Sequence, residues 1–117
     1  MSKSAITEFL QLPAVNSAVT ISIRVGNSQS GTITFNESGK GLIQKEGSLS
    51  YTAQSSDALD GKSFDFNIVC VDVNASSDNL VVNVELTGVS NDGPWTLSKS
   101  VSKGGTFQFF GSIEFFK

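Results

Sequence analysis

The sequence predicts an all-β protein, a single antiparallel β-sandwich of about seven to eight strands with jelly-roll or Greek-key connectivity. Three observations carry that expectation. Apolar and polar residues alternate with period two through most of the chain, the pattern of strands buried on one face. Polar breaks rich in Gly, Asn and Ser separate these runs at short intervals, which favours antiparallel neighbours, because parallel pairs need long crossovers. Helical spacing is confined to a few N-terminal residues. A chain of 117 residues suits one domain, able to bury roughly two-thirds of its unfolded surface.

Residues 1–16 read as an N-terminal arm. Ser4 is placed to cap a short helical turn carrying Ile6, Phe9 and Leu10 and stopped at Pro13; an irregular arm or an edge strand fits as well. The β core spans 17–117. "AVTISIRV" sets Val19, Ile21, Ile23 and Val25 on one face, with Thr20, Ser22 and Arg24 on the other. "TITFN" buries Ile33 and Phe35, "GLIQK" is a weaker strand, and "SLSYTA" alternates Leu49, Tyr51 and Ala53. "QSSDALDGK" is the longest polar connection. "SFDFNIVCVDV" begins with Phe64, Phe66 and Ile68 on one face and continues with Val69, Val71 and Val73 on the other. Such a slip of phase predicts a β-bulge or a strand covered on both faces. "NLVVNVELTG" points Leu80, Val82, Val84 and Leu86 inward. "WTLSKSV" aligns Trp95, Leu97 and Val101, with Lys99 out of pattern. The last strand, "TFQFFGSIEFFK", puts Phe107, Phe109, Gly111, Ile113 and Phe115 on one face and Phe110 and Phe116 on the other.

Composition narrows the function. Only 16% of residues are charged, and the net charge is −3. The eight basic residues are scattered, so the clustered cationic face that nucleic acid requires is missing. Histidine is absent and Cys70 is the single cysteine, which removes the usual base for a serine nucleophile, a Cys/His zinc site and any intrachain disulfide. Cys70 lies within the most apolar run and reads as a small core residue. No stretch approaches the ~20 apolar residues of a spanning helix. Glu8 and Pro13 interrupt the opening segment, which therefore lacks the apolar run of a signal peptide. A cytoplasmic protein, or one exported by another route, is expected.

No catalytic residues are expected. Asp65, Asp72 and Glu85 read as outward, solvated carboxylates, and a glycosidase built from such a pair is the remote alternative. Calcium is a weak prospect: Asp57 and Asp60 in "DALDG", and Asn74, Ser76 and Asp78 in "NASSD", supply oxygen ligands, but the same residues populate turns for local reasons. No other cofactor is expected. The candidate ligand site is the loop "SNDGPW", where Asn91, Asp92 and Trp95 combine polar side chains with an aromatic face, with Asp57 and Asp60 of the "DALDG" loop the partners that chemistry suggests. These parts suit a non-catalytic, lectin-like module binding neutral glycan or a cell-surface ligand through end loops. Trp95 shares parity with Leu97 and Val101, so a hairpin turn with a core tryptophan competes with that reading. Five of the nine phenylalanines fall in the last eleven residues. Phe110 and Phe116 are the candidate interface of a self-assembling homo-oligomer.

Overall fold

The computed structural model describes residues 4–27, 29–38, 40–89 and 93–117. Nine strands run among the described residues: β1 (Ala5–Gln11), β2 (Val19–Val25), β3 (Ser30–Glu37), β4 (Leu42–Glu46), β5 (Ser48–Ala53), β6 (Ser63–Val71), β7 (Asn79–Thr87), β8 (Trp95–Ser100) and β9 (Thr106–Phe116). A single 3-10 turn, Asp57–Leu59, joins β5 to β6 among these residues. The strands form a five-stranded sheet, β1-β9-β6-β3-β4, and a four-stranded sheet, β5-β2-β7-β8. The expected all-β sandwich is the fold, with nine strands rather than seven or eight.

Period-two alternation fills the space between the sheets. Phe35, Phe64, Ile68, Phe109, Ile113 and Phe115 face inward from the first sheet, and Val19, Ile21, Ile23, Val82, Val84 and Leu97 from the second; all are buried in one core. Phe64 is its aromatic centre, set edge-on to Phe35 at 5.3 Å and to Phe115 at 4.9 Å, the arrangement that matches ring edges to ring faces.

The N-terminal arm is a strand and not a helical turn. Ile6 and Leu10 are four residues apart, a spacing that fits one helix face and one strand face equally. Partnership decides: β1 lies parallel to β9, with Ala5 opposite Phe110 and Gln11 opposite Phe116, and Leu12 N–H extends the ladder to the Phe116 carbonyl at 2.7 Å. Because β1 and β9 are separated by nearly the whole chain, short connections do not force them antiparallel.

The phase slip expected in the β6 segment does not occur. β6 pairs without interruption with β3 and β9. Phe64, Phe66, Ile68 and Cys70 all point inward and are buried, whereas Val69 and Val73 are exposed. The inward parity continues to Asp72, which is buried rather than solvated.

The connectivity is Greek-key, built twice. β2 and β5 pair in one sheet while the hairpin β3–β4 lies in the other. In the same way β6 and β9 pair, with the hairpin β7–β8 in the facing sheet. In each unit the fourth strand returns beside the first, and the β2–β7 and β3–β6 pairings lock the two units together. β1 is the addition that breaks this correspondence.

Candidate functional site on the outer face of the five-stranded sheet

The outer face of the five-stranded sheet carries the residues that alternate with the core. In one row across the strands, Phe110, Asn67 and Thr34 are direct partners. In the next row, Ser112, Asp65, Asn36 and Leu42 follow one another. These side chains border an open concavity of about 310 Å³, lined by Thr34, Asn36, Leu42, Asp65, Asn67 and Phe110. Its two apolar flanks are unusually bare: Phe110 is 54% exposed and Leu42 76%. They stand on either side of a polar floor. Phe110 and Thr34 are two strand spacings apart, roughly 10 Å.

The floor is part fixed and part free. Asp65 accepts hydrogen bonds from Ser63 Oγ and Ser112 Oγ, both 2.8 Å. Asn36 turns its amide nitrogen to the Glu37 and Gly41 carbonyls. The Asn67 amide and the Thr34 hydroxyl have no side-chain hydrogen bond among the described residues, and both are only half-buried. Donors and acceptors are therefore held open to solvent beside an aromatic ring. Below them Gly111 faces the core, and the ring of Phe66 occupies the place a Cβ would take, with ring carbons 2.1 and 2.2 Å from that point.

The face continues toward β1. Phe9, 64% exposed, packs on Phe116 with ring centroids 4.5 Å apart. Val69 is also exposed on this side. Of the two expected interface residues, Phe110 is open and Phe116 is half-buried under Phe9. β9 has β6 on one side and, along Phe110–Phe116, β1 on the other, so this part of the strand offers no free edge for strand addition and is open to contact only on its outer face.

The residues expected to form the ligand loop are placed differently. Asn91 and Asp92 lie outside the described residues. Trp95 opens the edge strand β8 and is half-buried, packed against the core, with its ring folded over Gly93. Asp57 and Asp60 hold the C-terminal residue: Lys117 Nζ pairs with Asp57, and Lys117 N–H donates to Asp60 Oδ1 at 3.0 Å. Asp57 N–H in turn donates to Asn16 Oδ1 at 3.0 Å. Both carboxylates are engaged in tying chain segments together.

Two further concavities differ in chemistry. One, of about 250 Å³ on the outer face of the four-stranded sheet, is bordered by Ser22, Arg24, Ser48, Ser50, Asn83 and Glu85 and has no aromatic flank. The other, about 270 Å³, lies at the loop end beside Tyr51, Glu37 and Lys40. There Tyr51 Oη donates to the buried Glu37 Oε1 at 2.8 Å. Burial, then the hydrogen bond to Glu37 and its charge, push the Tyr51 pKa up to about 12. Burial likewise raises the Cys70 thiol to about 11, so Cys70 is an inert core residue.

The polar floor is masked in the sequence because Asp65 and Asn67 sit between Phe64, Phe66 and Ile68 in a run dominated by its apolar residues, although Asp65 reads there as an outward carboxylate. Their strict outward parity was the available signal. Leu42 gave none, since an apolar residue beside a turn reads as weak strand. The chain matches no protein-family model, no curated protein and no solved structure.

Proposed function

We propose that this protein is a non-catalytic recognition module that binds neutral glycan on the outer face of its five-stranded sheet, at Phe110, Asn67 and Thr34. The observation that carries this reading is an exposed aromatic ring set beside an unengaged amide across a shallow polar floor. The C–H face of a sugar ring carries partial positive charge and stacks on the negative face of an aromatic ring. Its hydroxyls take the amide and hydroxyl alongside, and few polar groups suffice to fix orientation. Low charge suits a neutral ligand. This is the lectin-like function expected from the sequence, moved from the end loops to the sheet.

A glycan array probed with the wild-type protein and with Phe110→Ala tests it. The expected result is a defined set of neutral glycans bound by the wild type, with at least tenfold weaker signal from the variant. Blank arrays, or arrays that the variant lights equally, contradict it.

A second reading uses the same surface for self-assembly. Phe9, Leu42, Val69 and Phe110 are exposed together on one sheet face, and exposed apolar patches of this kind mark contact surfaces. Sedimentation velocity across a concentration series distinguishes the two. Assembly predicts a dimer or larger species that reverts to monomer in Phe110→Ser; a monomer at all concentrations, unchanged by the substitution, removes it.

A further inference from the structure

The face that carries Phe110 continues onto β1, and its second exposed ring is one that binding at Phe110 alone does not use. β1 and β9 run parallel, so their outward residues form a track two strands wide. Ala5 lies beside Phe110, Thr7 beside Ser112, and Phe9 beside Glu114. Both ends of this track are aromatic and its middle carries hydroxyls.

Each ring is prepared for contact. Phe9 leans on Phe116, with ring centroids 4.5 Å apart, yet stays 64% exposed. That packing restrains the ring before any ligand arrives, so less rotamer freedom is lost on binding. At the other end, the β1 neighbour of Phe110 is Ala5. Its methyl group is too short to cover a phenylalanine ring, and Phe110 keeps more than half of its surface open. Four residues along a strand and one strand spacing put Phe9 and Phe110 roughly 14 Å apart, too far for one sugar ring to touch both. Between them lie Thr7, exposed, and Ser112, half-buried and bonded to Asp65.

Charge on this face is of one sign. Among the described residues, the charged side chains at outward positions of the five strands are Glu46, Asp65 and Glu114, with no Lys or Arg beside them. An acidic chain laid along the track would meet like charge at the floor and again beside Phe9, which selects against it. A neutral chain can instead donate its hydroxyl protons to the same carboxylates.

We propose that the ligand is a linear, neutral oligosaccharide several units long, lying along β9 and β1, with one unit stacked on Phe110 and a later unit on Phe9. This rests on glycan binding at Phe110 and adds Phe9 as a second subsite. A narrow track running along the strand direction suits an unbranched chain. The apolar C–H faces of its units meet the two rings, and the hydroxyls between them meet Thr7 and the floor.

The test is calorimetric titration of the wild type and Phe9→Ala with ladders of linear gluco-, manno-, galacto- and xylo-oligosaccharides, monomer to hexamer. Oligogalacturonides serve as the acidic counterpart. In a ladder that binds, wild-type affinity is expected to rise with length and then level off, the longest member roughly tenfold tighter than the disaccharide, the worth of one aromatic contact. That series needs no variant. Ile6 and Leu10 are buried and anchor β1, so Phe9→Ala keeps the fold. It is expected to bind the disaccharide as the wild type does and to lose the gain from length. Oligogalacturonides are expected not to bind. A wild-type series flat in length, or a Phe9→Ala variant that keeps the gain or weakens every length alike, overturns the chain ligand and leaves Phe110 binding standing. Oligogalacturonides bound as tightly as a neutral ladder overturn the neutral class. No binding in any ladder, whether the face stays bare or a second copy covers it in sedimentation velocity, removes Phe110 binding and the second subsite together.

Discussion

Asp72 and Glu37 show how a single acidic residue behaves once strand parity turns it inward. Each is buried at the end of a strand run, and each recruits a specific partner: Gln29 for Asp72, the Tyr51 hydroxyl for Glu37. The Tyr51 pair is open to direct measurement because Tyr51 is the only tyrosine of the chain. Absorbance titration of the native protein is expected to give a phenol midpoint near 12. In Glu37→Gln the midpoint falls toward the ordinary value but stays above it, because burial is the largest cause and remains. The sign for stability follows. Folding holds the Tyr51 proton more tightly, so this contribution is complete below pH 10 and is lost as the pH rises from 10 to 12. A midpoint near 10 in the native wild type contradicts the hydrogen bond.

At the scale of elements, two glycines mark where backbone and core leave no room. Gly88, after β7, has φ +89°, and a Cβ there would stand 2.2 Å from the Ala18 carbonyl oxygen. Gly111, in mid-β9, would meet the Phe66 ring, which sits in a packed core. Urea denaturation is expected to show Gly111→Ala less stable by about 1–3 kcal/mol, the usual cost of overpacking. Gly88→Ala should lose more, since its obstacle is backbone and its φ is strained. Equal stabilities for the wild type and both variants would be incompatible with these contacts. The elements themselves were largely legible: the inward sets of β2, β3, β7 and β9 follow directly from alternation. The failures have physical causes. A four-residue spacing in β1 suits helix and strand alike. A run of valines on the exposed side of β6 imitated a slip of phase, because β-branched residues favour strands whether or not they are buried.

For the whole molecule, what alternation cannot supply is partnership. Which strands neighbour one another decides that Asp65, Asn67 and Asn36 share a surface with Leu42 and Phe110, residues far apart in sequence. It decides equally that the C-terminal strand lies between two others, which turns the Phe-rich segment from an edge into a face. Three of the four edge strands carry charges suited to discouraging further pairing, Glu8 on β1, Lys45 and Glu46 on β4, and Lys99 on β8, while β5 carries none. The sandwich thus presents one apolar-flanked polar face and a largely hydroxyl-bearing opposite face, and the former is the proposed recognition surface. Backbone amide NMR titration with a panel of neutral mono- and oligosaccharides at millimolar concentration is the direct test. Saturable shifts are predicted for the amides around Thr34, Asn67 and Phe110, and they should vanish in Phe110→Ala. Shifts that instead gather around Asp57, Asp60 and Trp95, or no saturable shift with any sugar, would contradict binding on this sheet.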